Sequence, residues 1–570
     1  MLSDGDSDED DAEAGNFNHL SGNQLRAEGQ LQIVRQGGGG LRHEFVGREN
    51  QSDSDDSDDN VSLSELKIGN QAQVRKSKKK PLPYREWENK DLPTYERQTW
   101  TEPDFLNDSR SPVEWFELFY DDELVELIVL NSKKYAVYEG NDQFDVTREE
   151  MRLVIAIFLL SGYCSYARQR MFWDTGADTY HPGVANSMTR FRFEQILKYM
   201  HVSDNTLLDQ GDKFTKVRPL WNKLNASWMR YFPRFTNVSI DESMVPYYGH
   251  HSTKQHIHGK PIRFGYKIWC MATRLGYLIQ AEPYQGASTG NTNPELGVGG
   301  SVVTNLLSKL PNGFKVHVYI DNFFTSLRLL TALKESGHQG TGTIRSNRVE
   351  KAPLESLQSI KSKPRGSYHQ ITDKKSGITL VRYNDNNVVT LASSAEGVLP
   401  LGSAQRWSSS QKKKIGIPQP LCIQQYNRYM GGTDRLDQNV GCYRISINRK
   451  KWYWQLMMWP LNVSVNNAFQ LYKLSPDGQE NRSLDYLAFI RVITTTYLGK
   501  YSLPRTMGRP LKPRCKRRRV PDGVRLDGQG HIIISNATQI RCAMCHKNTT
   551  KKCRKCDVGC HTNCFEAFHS

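Results

Sequence analysis

The sequence has no apolar run long enough to cross a bilayer. Its longest, near Leu153–Leu160, falls far short of the roughly 20 residues a membrane helix needs. It also lacks a secretory leader at its start, where the residues are acidic and polar, so a soluble intracellular protein without a membrane partner is expected. Residues 1–80 have few aromatic side chains and much Asp, Ser, Gly and Asn; with so little to bury, they are expected to be disordered. Cysteine is scarce until the end, six of the 11 lying between Cys542 and Cys564. A secreted disulfide fold spreads its cysteines, whereas a terminal cluster points to metal in a reducing compartment. No internal repeat is evident.

Acidic residues thin out beyond residue 60. The first 60 residues carry 15 acidic and 4 basic side chains, about −11, and the whole chain is +16, which leaves about +27 for the rest. An acidic arm on a basic body suits a polyanionic partner, double-stranded DNA above all. Ser52, Ser54 and Ser57 sit among acids as casein kinase II-type phosphorylation candidates, or simply in a solvated tail. The run VRKSKKKP, Val74 to Pro81, fits a nuclear localisation signal, so the nucleus is the expected compartment.

Hydrophobic periodicity divides the remainder. SPVEWFELFYDDELVELIVLNSKKYAVY and TREEMRLVIAIFLLSGYC carry apolar residues at helical spacing. From Phe235 to Arg345 the order is three strands, helix, strand, helix, strand, with YKIWCMAT and YLIQAEPY as a hairpin. That order suits an RNase H-like α/β domain and other α/β folds too. YHQITD, ITLVRYNDN and VVTLASS predict a β-rich insertion, and KWYWQLMMWPLNVSVNNAFQLYKL a return to helix.

Two strands lead to aspartate. In Phe314–Asp321, Phe314, Val316, Val318 and Ile320 share one face, and Asp321 leaves on the other. Phe235–Asp241 has the same form, so both aspartates are expected at strand ends on one sheet edge. MGGTDRLDQ places Asp434 and Asp437 on one side of a helix start, with Thr433 as the expected N-cap. Carboxylates gathered this way suit in-line transfer at a phosphodiester, where two Mg²⁺ ions about 3.5–4 Å apart can serve the attacking and leaving oxygens. Mg²⁺ takes hard oxygen ligands, and Mn²⁺ is the alternative ion. Taken singly, each aspartate reads better as a solvated strand or helix end; it is the combination that points to metal.

SIDESMVPYYG, YIDNFFTS and MGGTDRLDQ, in this order, resemble the three acidic motifs of piggyBac transposases, and KPIRFGYKIWC and GTIR resemble the stretches after the first two. The resemblance runs from about Trp100 to the C-terminus. It implies an RNase H-like catalytic domain split by an insertion, and cut-and-paste transposition at TTAA targets through DNA hairpins by a homodimer. It also implies Asp241, Asp321 and Asp434 as the metal-binding catalytic triad, with Asp437 as a nearby fourth acid. Trp452, in RKKWYW, aligns with a family tryptophan close to the active site. A DNA-stacking role is expected for it, with core packing as the alternative.

The C-terminal run RCAMCHKNTTKKCRKCDVGCHTNCFEAFH is a zinc signal of high specificity. Two zinc ions are expected in interleaved sites. Cys542, Cys545, His561 and Cys564 would hold one. Cys553, Cys556 and His569 would hold the other with an eighth ligand, either His546, which is preferred, or Cys560. Similar modules in the family bind transposon-end DNA, while others elsewhere bind protein. Lys551, Lys552, Arg554 and Lys555 favour DNA. GRP at Gly508–Pro510, with Lys512, Arg514 and Lys516–Arg519 nearby, fits either a minor-groove hook or a nuclear signal.

The expected division is a disordered acidic region over 1–99; a helical dimerisation and DNA-binding domain over 100–235 and 445–505; a catalytic domain over 236–347 and 421–444; an insertion over 348–420; a basic linker over 506–540; and a zinc module over 541–570. The leading reading is a transposase. The second is a domesticated nuclear DNA-binding protein without transposition activity. A third, a chromatin adaptor acting through the zinc module, leaves the aspartates unexplained.

Overall fold

The computed structural model describes residues 84–502, save 94, 97, 177, 258–260, 287–292, 409–410 and 481–482, together with 520 and 522–570. Ser52, Ser54, Ser57, the VRKSKKKP run and the GRP segment lie outside the described residues. The chain divides into two compact units, Met1–Leu503 and Pro504–Ser570. No helix among the described residues is long and apolar enough to cross a membrane.

The strands of the first unit are β1 (Trp87–Glu88), β2 (Asn237–Pro246), β3 (Gln255–His256), β4 (Phe264–Thr273), β5 (Leu278–Pro283), β6 (His317–Ile320), β7 (Gln339–Thr343), β8 (Tyr368–Asp373), β9 (Ile378–Asn384), β10 (Val388–Ser393), β11 (Gly402–Ser408) and β12 (Lys413–Gln419). Among the described residues, the first ten form one sheet in the order β1-β8-β9-β10-β7-β6-β2-β4-β3, with β5 also on β4. β2 with β6 and β6 with β7 run parallel, and β2 with β4 and β4 with β5 antiparallel. Helices Gly297–Leu307 and Leu327–Glu335 make the two crossovers into the parallel strands, so the expected run of elements is present, with the short β3 added.

Three expectations about this unit change. Residues 84–93, placed with the disordered region, are ordered by distant partners: β1 pairs with β8, and Arg85 is bonded to Glu350 at 2.5 Å and Asp373 at 3.0 Å. Strands β8–β10, expected as an insertion, continue the main sheet through β10 on β7, while β11 and β12 form a separate hairpin. Asp241 does not end its strand. β2 runs on to Pro246 because β4 pairs with it as far as Pro246 opposite Gly265; what ends at Ile240 is the pairing with β6.

Helices close over this sheet for local reasons. Arg148–Tyr163 starts on a Thr147–Glu150 capping box and is buried along most of its length, as an all-round apolar helix must be. Trp454–Leu474 contains Pro460, which has no N–H for the Leu456 carbonyl; the Trp221 indole N–H donates to that carbonyl instead, at 2.8 Å. Farther along the same helix, the Asn467 side chain bonds both the N–H and the carbonyl of Leu278, fixing the helix against β5.

Helix Gly432–Cys442 approaches the sheet closely at its first residue. A Cβ on Gly432 would stand 2.4 Å from Ser239 Oγ and 2.6 Å from the Thr273 carbonyl oxygen. Gly432→Ala is therefore expected to cost about 1–3 kcal/mol of stability, measured by chemical denaturation. An unchanged midpoint would mean that this close approach is not required.

Candidate active site

The parallel register pairs Ile240 with Ile320, so the next residues, Asp241 and Asp321, emerge side by side where β6 ends. The Phe323 amide donates to Asp321 Oδ1 at 2.9 Å, and Thr325 donates to the Asp321 carbonyl through its amide at 3.1 Å and its hydroxyl at 2.6 Å. Arg348 fastens this turn from below, donating to the carbonyls of Asn322, Phe323 and Thr325 at 3.1, 2.8 and 3.2 Å. Reading the sequence missed Arg348; its only signal was a cation just after the GTIR stretch. Gly342 leaves the space the turn needs, since a Cβ there would lie 2.2 Å from Thr325 Oγ1.

The third acidic element approaches over β2. The N-cap of helix Gly432–Cys442 is Gly431, not Thr433. The helix start presses so closely on the sheet that Thr433 is buried in the first turn, where its hydroxyl finds no hydrogen-bond partner among the described residues. Asp434 stands in that first turn, where the helix dipole favours a carboxylate. One turn on, Asp437 accepts a 2.5 Å hydrogen bond from Ser243 of β2. Asp241 and Ser243 share a face of that strand.

Tyr426 registers the convergence. Burial, with the carboxylates of Asp321, Asp241 and Asp434 adding to it, pushes its hydroxyl up to about 12, against the lowering effect of its bond to Thr343. Burial also raises Asp321 and Glu242 adds to the rise, while the Phe323 and Phe324 amides and Lys267 pull it down. The donor set is all carboxylate oxygen, which suits a hard divalent cation. The aspartates are gathered less tightly than soft-metal ligands. Among the described residues, only two groups, both of Cys and His, bring three or more candidate ligand atoms within 4.8 Å of one another.

Trp452 stacks on His251, centroids 4.3 Å apart and planes 28° off, and its carbonyl accepts from Tyr266 at 3.3 Å. It is half-buried, so part of the ring serves packing.

In the second unit, strands β13 (Ile533–Arg541), β14 (Asn548–Cys553) and β15 (Val558–Gly559) precede helix Thr562–His569. Cys542, Cys545, His561 and Cys564 form one of the two Cys/His groups, as the spacing suggested; His531, Cys553, Cys556 and His569 form the other. Cys545 Sγ is 3.3 Å from His561 Nδ1, and Cys556 Sγ is 3.4 Å from both His531 Nδ1 and His569 Nε2. A tetrahedral ion with bonds of about 2.0–2.3 Å sets its ligands about 3.3–3.8 Å apart, so both groups fit zinc. Each histidine also engages its other ring nitrogen: His531 with Asp527 at 2.9 Å, His561 with the Asn548 carbonyl at 3.1 Å and His569 with the Phe565 carbonyl at 2.8 Å. Such partners orient an imidazole for a metal. Burial pushes the Cys542 thiol up, but the amides of Cys545, His561 and Met544 outweigh it and hold it down to about 6.

The expected eighth ligand is corrected. His546 belongs to neither group; it closes the Cys542–Cys545 turn, donating its amide to the Cys542 carbonyl at 3.0 Å with φ 61°. Asp557 does the same after Cys553–Cys556, at 2.9 Å and φ 50°. Cys560 also lies outside both groups. His531 fills the position from ten residues before the expected start of the module, beyond the window in which ligands were sought. Of the cations, Lys552 pairs with Asp557 at 2.7 Å, Lys555 with Asp527 at 2.5 Å, and Lys551 donates to Thr562 at 3.2 Å; Arg554 is exposed.

Comparison with known proteins follows the same lines. A family model described as Transposase IS4 matches residues 111–469. Human PiggyBac transposable element-derived protein 3 is 43% identical over 489 residues, 85% of this chain and 81% of that protein. Human PiggyBac transposable element-derived protein 2 is 35% identical over 537 residues, 93% of this chain and 88% of that protein. A cryo-EM structure of a piggyBac transposase synaptic complex with hairpin DNA has the same fold, with TM-score 0.61 at 21% identity over 81% of this chain and 99% of that one.

Two measurements test these sites. Metal analysis of the purified chain is expected to give two zinc equivalents, falling to one for His531→Ala and staying at two for His546→Ala; the reverse pattern would restore His546. A raised Asp321 pKa means that its charged form costs stability once pH passes the ordinary carboxylate range. Asp321→Asn is therefore expected to raise the Tm, measured without Mg²⁺ at neutral pH. The gain should vanish below about pH 3, and a lower Tm at neutral pH would contradict the assigned burial.

Proposed function

Because this chain belongs to the piggyBac transposase family, we propose that it is a metal-dependent DNA transposase whose chemistry is carried by Asp241, Asp321 and Asp434. The register that pairs Ile240 with Ile320, and the close approach of the helix carrying Asp434 to Ser239 and Thr273, carry the reading. Strands β5-β4-β2-β6-β7, with their mix of parallel and antiparallel pairs, are read as an RNase H-like catalytic core. The two acids beside the end of β6 and the one on the helix above them would hold Mg²⁺, or Mn²⁺. When bound, a pair of such ions neutralises charge on the attacking and leaving oxygens of a phosphodiester. The chain's own part is positional. The Arg348-bound turn fixes Asp321, and Gly432 lets Asp434 reach the sheet. Asp437, through Ser243, locks helix to strand.

The substrate is double-stranded DNA. Water attacks in the first cut and the freed 3′-hydroxyl afterwards, with no covalent bond between protein and DNA. Hairpin ends, TTAA targets, a homodimeric assembly and a nuclear location belong to this reading and rest on the family resemblance. The solved relative, titled as a synaptic complex with hairpin DNA, supports the first of these. The zinc unit, with Trp452 and the exposed Arg554, would add contacts to transposon ends. Both human relatives are named as transposable element-derived proteins, which favours DNA binding without transposition as the second reading.

Strand cleavage of matching terminal-repeat DNA separates the two. Asp241→Asn, Asp321→Asn and Asp434→Asn are each expected to lower cleavage by about 10²–10³-fold or more, with end binding kept, and Asp437→Asn less. A wild-type chain that binds ends but never cuts in Mg²⁺ would favour the second reading, and wild-type cutting by Asp321→Asn would end the assignment.

A further inference from the structure

Hairpin β11–β12 pairs only with itself among the described residues, and its two faces differ. The inner face holds Ala404 opposite Ile417, both buried, and Arg406, which is bonded to Asp385 at 2.9 Å. The Tyr383 hydroxyl adds a 3.0 Å bond to the Pro418 carbonyl. These interactions already seat the hairpin. The outer face carries Trp407, 60% exposed, directly opposite the exposed Lys414. Lys412 and Lys413 are exposed nearby toward the tip, Lys413 opposite Ser408 on the other face of the pleat, and from Leu399 to Gln419 there is no Asp or Glu. A largely exposed indole near three exposed lysines, with Asp385 taken up by Arg406 and Arg365, is a surface suited to an anion with flat rings.

We propose that this hairpin is a DNA-binding element, with Lys412, Lys413 and Lys414 on backbone phosphates and Trp407 against an unstacked base. A two-stranded ribbon is narrow enough to lie along a DNA groove. Lysine neutralises phosphate without reading sequence, and an indole accepts any base face. The proposal rests on the DNA-processing reading above and adds a surface to it. Arg406 takes no part in it, since Asp385 already holds its guanidinium.

The test is DNA binding by the full-length chain at several salt concentrations, on an uninterrupted duplex and on a duplex with an unpaired base. Lys412→Ala/Lys413→Ala/Lys414→Ala is expected to weaken both and to flatten the slope of log affinity against log salt by about 0.9 for each phosphate no longer neutralised. Trp407→Ala should weaken binding to the interrupted duplex on the order of tenfold and change the intact duplex less. All four side chains are exposed, so the Tm should not move. If the wild type binds DNA and the triple variant binds equally well with the same slope, or more tightly, the hairpin proposal falls and the transposase reading stands. A wild type that binds neither DNA overturns both.

Discussion

The pairing of Ile240 with Ile320 in adjacent parallel strands is the constraint on which the rest of the first unit depends. It carries no chemistry, yet it decides that Asp241 and Asp321 leave the sheet at the same level. A one-residue slip of either strand would turn its aspartate onto the opposite face from the other. The parallel arrangement also demands crossovers, supplied here by two helices, and the second of them follows directly from the turn that holds Asp321. The third acid depends on the same level, because helix Gly432–Cys442 docks where Ser239 and Thr273 leave room only for glycine. Three carboxylates spread over nearly two hundred residues are thus brought toward one end of β6 by one register and one close approach at a glycine.

The second unit is organised by a different force. Its apolar cluster is small: Val520, Cys553, Cys556 and Val558, with Ala543, Phe565 and Phe568 packed against them. A core of that size is small against the ordering of some forty residues, and two Cys/His groups that could each hold a metal ion lie beside it. The matched turns at His546 and Asp557 show how two similar C-x-x-C knuckles were placed. In each, the next residue takes a left-handed conformation and returns its amide to the first cysteine.

Much of this was legible in the sequence, for identifiable reasons. The alternation in Phe314–Asp321 and the Asp-x-x-Asp spacing are local patterns, and they indicated the acids and the order of strands and helices. Seven of the eight Cys and His residues in the two groups stand out by spacing. What was not legible depended on partners distant in the chain. β2 runs past Asp241 only because β4 is there to pair with it, and residues 85–91 are held by Asp373, Glu350 and the amides of Val398 and Leu399. Thr433 was displaced as a cap by packing rather than propensity. His531 was missed because a lone histidine in a basic, glycine-containing stretch looks like any surface histidine until β13 folds it back. Strands β8–β10 read correctly as strands, but no local feature reveals which sheet a strand will join.

The central claim is that Asp241, Asp321 and Asp434 form one divalent-cation site. Mn²⁺ binding to the zinc-loaded, DNA-bound chain, followed by electron paramagnetic resonance with Mg²⁺ as competitor, tests it most directly. The account predicts a Mg²⁺-competed Mn²⁺ signal in the wild type that is lost in Asp241→Asn, Asp321→Asn and Asp434→Asn alike. A competed signal of undiminished strength in all three variants would contradict it.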